Sequence, residues 1–563
     1  MKILRQFETQ KLSVRFWAVL SLILILGLAM GIRFRLLDMP LERDEGEYAY
    51  MGQLILDGVP PYAQAANMKW PGTYFAYAGI MALFGQTTGG IHFGLILVCA
   101  ATSLLLFFLA KKTLGVPGAL AAVMAYNVFS LSPSTLGMAA HATHFVALFA
   151  LLGTLLLLNG LEQNSRRRLF GAGILMGISV LMKQCGVFFF FFGLIWSALY
   201  CKPDWRKTLR LAGFYSLGTL VPLLLCAVIL LACGVWNSFW FWTVEYAGRY
   251  ATTVPILAGI EICIASLRLH WIFAPGLCLL GMLGAVCLWH SSLHSQRKFL
   301  IFFTCFSFLA VCPGLYFRQH YYLVFLPAFS LLIGAVVKTA SEWMQKTRFK
   351  KLSYLPLVLA LMASGWSVWV LHYILFTDSP ETVIKRVYNG NPFVESYEMG
   401  KLLKEKTPSN ARIGILGSEP EICFYAHRRM ATTAMYMYPL IERQSFAKQM
   451  RENMMRELEG HPPEFIVCVD FALSWVGSAE DALEIMDWFS RDIAPKYDLI
   501  GAILVTPGKE THYIYSQTPI KASMLNSTSS LLLYRIKQLD SSREVKPPIS
   551  EQIGNTSPRA KSD

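Results

Sequence analysis

The residues best suited to chemistry are gathered early in the chain. Asp38, Glu42, Asp44, Glu45, Glu47 and Asp57 lie within twenty positions, and a lone cation, Lys69, followed by Trp70-Pro71-Gly72, closes the same segment. A carboxylate can take a proton from an attacking hydroxyl, an ammonium can face a phosphate oxygen, and tryptophan belongs at the depth of lipid headgroups. Together they suit chemistry on a lipid phosphate, against the plainer reading of a solvated, charged loop. A second constellation is YFRQHYYLVFLP, with Arg318, His320 and Tyr321. The planar fork of arginine matches phosphate oxygens and tyrosine adds hydroxyl donors, although an aromatic belt with a snorkelling arginine has the same composition. Lys183 ends an apolar run, from which it either snorkels to the surface or reaches a phosphate.

The elements that must position these groups are apolar. The 563 residues are 55% hydrophobic and only 15% charged, with mean hydropathy +0.44, which excludes disorder and an ordinary soluble enzyme. Runs long enough to cross a bilayer occur near 16–33, 89–110, 115–131, 142–160, 169–182, 187–201, 209–233, 271–290, 299–317, 321–338 and 353–376. The fold class expected is a polytopic α-helical membrane protein of about eleven spans, in a range of 10–13. With the N-terminus cytoplasmic, that side collects 20 Lys/Arg against about 7 on the other, which sets the orientation. The net charge of +14 resides in the membrane part, so no nucleic-acid partner is implied. The first span is not read as a cleaved signal, because Arg33 and Arg35 follow it without a small-residue cleavage site. Ten of the twelve cysteines lie in or beside apolar runs and read as small buried hydrophobes. Within the first outer loop, Gly46–Leu56 and Thr73–Phe84 are too short to span and read as interfacial helices.

Residues 1–376 are thus expected to form a transmembrane domain, with 377–537 following as a small outer α/β domain. Its strands are read at Arg412–Leu416, Glu464–Val469, Leu499–Val505, His512–Tyr515 and Leu531–Tyr534, with helices at Phe446–Leu458 and Ala479–Ser490. Residues 538–563, rich in Ser, Pro, Lys and Glu, read as a disordered tail.

RDEGEYAY, KWPGTYFAY, Lys183-Gln184, FRQHYYLVFLP and the later RIGILGSEPEICFYAHRRMATTAMYMYP together resemble bacterial lipid-linked-sugar glycosyltransferases. That family is related to protein O-mannosyltransferases and aminoarabinose transferases and has a GT-C membrane fold. The resemblance implies transfer of a sugar from a polyprenyl-phosphate carrier to a glycolipid, glycan or protein acceptor at the outer face of the bacterial cytoplasmic membrane, with inversion. It implies that Asp44, with its neighbour Glu45, is catalytic and that Lys69 contacts the carrier phosphate. Arg318, His320, Tyr321 and Lys183 are then further phosphate contacts, and Glu47 is accessory. One departure stands out. Where relatives carry a second acid, this chain reads MAAHATHF, offering His141 and His144 as base, hydrogen-bonding group or metal ligands, or as interfacial packing. No cofactor is required by the resemblance, and a divalent metal is left open by these histidines. A transporter or lipid flippase is the competing class. It would favour charges deep within spans and two similar halves, whereas the charges here gather at one face.

Overall fold

The computed structural model describes residues 2–506, 509–521, 525 and 527–537, with side chains from residue 16 onward. The chain is a multi-pass helical bundle capped at one end by a small sheet. Helices α1 (Lys2–Arg35), α2 (Arg43–Leu56), α3 (Gly72–Phe84), α4 (Thr88–Ser130), α5 (Ala142–Glu162), α6 (Arg166–Met182), α7 (Val187–Cys201) and α8 (Trp205–Ala232) open it. Among the described residues seven helices are long and apolar enough to cross a membrane. One of these is α4, which holds two expected spans on either side of Gly115, whose φ of 77° breaks the helix. The remaining expected spans correspond to α6 and to Pro275–Cys287, Arg297–Leu309 and Leu326–Gln345. Ile256–Phe273, expected to be loop, is also an apolar helix. It lies against the cavity end of the bundle along its length: Gly259 approaches Leu315, the Cys263 sulfur and Tyr322 hydroxyl are 3.8 Å apart, and the His270 ring is 4.7 Å from that of Tyr322.

Helices α2 and α3 form where two short interfacial helices were expected, but α2 is not an amphipathic surface helix. Every residue from Glu45 to Leu54 is buried, because the bundle covers one side and the sheet domain the other. Tyr48, Tyr50, Tyr74 and Tyr77 are among the largest fully buried side chains, each worth roughly 2–3 kcal/mol of burial. Gly46 permits the closest approach, since a Cβ there would stand 2.7 Å from Glu421 Cβ and 3.0 Å from its backbone nitrogen.

The C-terminal part contains strands β1 (Arg412–Leu416), β2 (Arg429–Met430), β3 (Phe465–Asp470), β4 (Tyr497–Val505), β5 (His512–Tyr515) and β6 (Ser529–Ile536). They form one sheet in the order β2-β1-β3-β6-β4-β5, parallel from β2 to β3 and antiparallel beyond. The expected helices appear as Ala447–Gly460 and Ala479–Trp488. The two-residue β2 was not foreseen, being too short to show an alternating pattern. The tail 538–563 lies outside the described residues.

Candidate active site

The N-terminus of α2 sets the geometry. Glu42 is its N-cap: its side chain accepts from the Glu45 amide at 2.9 Å, while Glu45 Oε2 accepts from the Glu42 amide at 3.2 Å. This reciprocal capping box fixes the first turn. Asp44 and Glu47, three apart, therefore share a helix face. Lys69 bridges them, its Nζ donating to Asp44 Oδ1 at 2.6 Å and to Glu47 Oε2 at 2.9 Å. Glu47 is fully buried and also accepts from Asn67, Tyr74 and Tyr436. Asp44 retains 22% of its side-chain exposure and faces a cavity of about 750 Å³.

Two further cations reach that cavity. Lys183 follows α6, and its turn is joined to the Lys69 segment by hydrogen bonds from Gln184 to Met68 O and from Thr73 to Met182 O. Among the described residues its ammonium makes no hydrogen bond or ion pair, resting instead 3.9 Å from the centroid of Tyr321. Among the described residues Arg318 donates to the Tyr250 hydroxyl alone, at 3.3 Å. The cavity also holds His141 and His320, stacked with centroids 4.3 Å apart and planes at 13°. Thr143 Oγ1, donating to His320 O at 2.9 Å, ties their two segments together.

The charges shape one another. Burial alone would raise the Asp44 pKa, but Lys69, with His320 and His141, holds it well below the usual carboxylate range. Burial and the neighbouring Asp44 and Glu45 carboxylates push Glu42 well up. Burial lowers His141 to about 4 against the pull of Asp44 and Glu45, and it lowers His320 as well, with His141 and Lys183 adding to the effect. Lys183 is lowered to about 8, first by burial and then by Lys69 and Arg318, with Cys185 and Asp44 opposing.

The structure thus brings Asp44, Lys69, Lys183, Arg318, His320, Tyr321 and His141 to one cavity. It places three expected residues elsewhere. Glu45 is fully buried, accepts from the Ala140 amide and pairs with His92 at 3.1 Å, so it joins α2 to the bundle. Glu47 holds Lys69 from behind rather than lining the cavity. His144 faces Cys99 and Gly137 O, away from the cavity, and does not pair with His141. The pairing assumed helical spacing, whereas His141 is the N-cap of α5, with φ −59° and ψ 147°. The sequence reading did not single out Tyr388, Tyr438 or Glu442, which line the wall contributed by the C-terminal part. Tyr438 lies in the segment that carried the resemblance; Tyr388 and Glu442 are isolated residues with no local pattern. Arg43 joins that wall to α2, donating to Ser418 O and pairing with Glu419 at 2.9 Å between the rings of Phe393 and Tyr438.

Residues 68–231 match the family described as dolichyl-phosphate-mannose-protein mannosyltransferase. No curated protein matches the chain. Among solved structures, ArnT from Cupriavidus metallidurans bound to undecaprenyl phosphate superposes with a TM-score of 0.54 at 12% identity, covering 92% of this chain and 98% of that one. The apo form of ArnT gives 0.51 at 13%, covering 86% and 96%. Arabinofuranosyltransferase AftD from Mycobacteria gives 0.51 at 11%, covering 93% of this chain and 40% of that one. The chain therefore has the GT-C fold of these glycosyltransferases and, over residues 68–231, a sequence match to the mannosyltransferase family.

Proposed function

We propose that this protein is a membrane glycosyltransferase that moves a sugar from a polyprenyl-phosphate carrier to an acceptor hydroxyl, with inversion, at the outer face of the bacterial cytoplasmic membrane. The observation that carries the reading is one cavity in which a partly exposed carboxylate, Asp44, stands with two cations, Lys183 and Arg318, that have no carboxylate partner among the described residues. The mannosyltransferase match and the undecaprenyl phosphate bound to ArnT support the choice of donor class.

The acceptor oxygen attacks the anomeric carbon while Asp44 takes its proton. The bond from that carbon to the phosphate oxygen breaks, and the electron pair leaves with the phosphate. Lys183 and Arg318 face the charge that develops there, with the Tyr321 ring beneath Lys183. Lys69 is already shared by two carboxylates, so its part is to hold Asp44 in place. A single attack with a carboxylate as base inverts the anomeric centre. The outer-face location follows from the charge asymmetry of the loops.

The test is Asp44→Asn in purified protein. Sugar transfer should fall by about 10²–10⁴-fold while undecaprenyl phosphate still binds, general-base help being of that size. Transfer at the wild-type rate would remove Asp44 from the mechanism.

A further inference from the structure

We propose that a second pocket, walled by the segment Phe241–Tyr246 and by the C-terminal part, binds a neutral sugar ring. That this ring belongs to the acceptor rests on the transfer reaction proposed above; the binding itself does not. The pocket has a volume of about 310 Å³, at the lower end of the range for small-ligand sites. Phe241, Trp242 and Phe446, all half-buried, form one side, with the rings of Phe241 and Phe446 set edge to face at 5.1 Å. Helix Ala447–Gly460 forms the other. Its Met450 and Met454 are buried, while Gln449 and Asn453, four apart and so on one helix face, stand exposed beside them.

The lining selects the ligand. A sugar ring has a face of C–H groups, which packs on an aromatic ring, and an edge of hydroxyls that both donate and accept, as carboxamides do. Asn453 Oδ1 accepts from Arg456 at 3.1 Å, whereas among the described residues the Asn453 amino group, the Gln449 carboxamide and the Trp242 indole N–H make no hydrogen bond. Thr433 adds a hydroxyl, oriented by Glu457, which accepts from it and from the Thr433 amide at 2.9 Å each. None of the lining residues is charged, in contrast with the main cavity, so a phosphate or a carboxylate finds no ionic partner here. An acyl chain would fill the apolar floor but strip water from the two carboxamides and the indole without replacing its hydrogen bonds.

The pocket adjoins the main cavity through a shared wall. Residues Phe241–Tyr246 wind as a π-helix, a rare turn that recurs at functional sites. Its first two residues line the second pocket, whereas Thr243, Val244 and Tyr246 line the main cavity. From Phe446 the rings run through Phe241, Trp242 and Tyr246 at centroid spacings of 5.1, 5.6 and 5.2 Å. Tyr250 follows at 6.5 Å, and its hydroxyl accepts from Arg318 in the main cavity. An acceptor of several sugar units would keep an inner ring on Trp242 while its terminal hydroxyl enters the cavity that holds Asp44.

The test uses full-length protein in lipid nanodiscs, free of sugar-headed detergent, titrated with neutral di- and trisaccharides of mannose, glucose and galactose and read by saturation-transfer NMR. Saturable binding of at least one probe is expected. Trp242→Leu should weaken it about 3- to 10-fold, the size of one aromatic contact, and so should the double variant Gln449→Ala/Asn453→Ala, whose two positions are exposed and spare the fold. Wild-type protein that binds none of the probes overturns the proposal. So does a saccharide held equally by wild type and both variants, because it must then sit elsewhere. The acceptor role is read in the transfer reaction: KM for a saccharide acceptor should rise in both variants with kcat and undecaprenyl phosphate affinity unchanged, and an unaltered KM overturns that role. Saccharide binding that is weakened in both variants of a protein that transfers no sugar sustains the pocket and refutes the transfer reading instead.

Discussion

Replacing Lys69 and Lys183 by methionine, one at a time, should separate two kinds of lysine in one cavity. Lys69 is held by Asp44 at 2.6 Å and by Glu47 at 2.9 Å, and Glu47 is fully buried. Breaking a buried pair by removing one partner costs about 3–5 kcal/mol. Glu47 keeps Asn67, Tyr74 and Tyr436 as donors, so the lower end, about 3 kcal/mol, applies to Lys69→Met. Lys183 has no such partner among the described residues, so its removal strands no carboxylate there. Lys183→Met should fold as well as the wild type but bind the donor phosphate more weakly by about 1.5–3 kcal/mol, one charge-assisted hydrogen bond, or roughly 10- to 150-fold. Thermal unfolding followed by tryptophan fluorescence reads the first effect, and titration with undecaprenyl phosphate in detergent reads the second. Lys183→Met binding within about twofold of wild type would refute the phosphate role assigned from geometry. Unfolding of Lys69→Met at the wild-type temperature would refute the structural one.

Further outcomes follow from the same contacts. Lys183, lowered to about 8, is charged below that pH and neutral above it. Donor affinity should therefore fall above about pH 8, by at most about tenfold per unit, and Lys183→Arg should lack the fall; identical pH profiles for the two proteins would remove Lys183 as its source. Glu421 is buried beside Glu419, which together raise it from an ordinary 4.5 to about 8 against the pull of Arg43. Below about 4.5 it is protonated both folded and unfolded. From there to about 8 only the unfolded chain ionises, so stability falls as pH rises. Glu421→Gln should raise the melting temperature at pH 7, through a gain of up to about 3 kcal/mol, and change little at pH 4.5; a gain equal at both pH values would rule out the ionisation as its cause. Gly46→Ala puts a methyl 2.7 Å from Glu421 Cβ, and the clash with that residue's backbone should cost about 1–3 kcal/mol, measurable as a lower melting temperature; an unchanged melting temperature would refute the close approach.

The spans were legible because a bilayer demands long apolar runs, and α2 and α3 because their runs are too short to span. Asp44, Lys69, Lys183 and Arg318 were legible as chemical types at one membrane face. Their roles were not, because role depends on neighbours: Glu47 neutralises Lys69, and no carboxylate among the described residues pairs with Lys183. Glu45 looked like Asp44's equal in sequence, yet a turn of about 100° per residue points it into the bundle at His92. The stack of His141 on His320 joins residues 179 positions apart, which no local spacing reveals. Ile256–Phe273 was passed over because Glu261 and Arg268 interrupt its run, and both lie on the exposed side of a helix whose contacts are with the cavity end.

Three tyrosine hydroxyls stitch α2 and the residues just before it to the C-terminal part: Tyr50 accepts from the Met430 amide, Tyr425 from the Leu41 amide, and Tyr436 donates to Glu47. Exchanging that part for the equivalent piece of a relative would replace one wall of the cavity and leave the other, so that, if the proposed site is the reaction centre, its two halves would no longer match. Chimaeras cut near residue 376 should then fail in catalysis even when both pieces insert and fold, whereas a graft that carries residues 41–69 along with the C-terminal part should succeed more often. The seam makes residues 41–69 and the sheet-bearing part of the chain a single heritable unit.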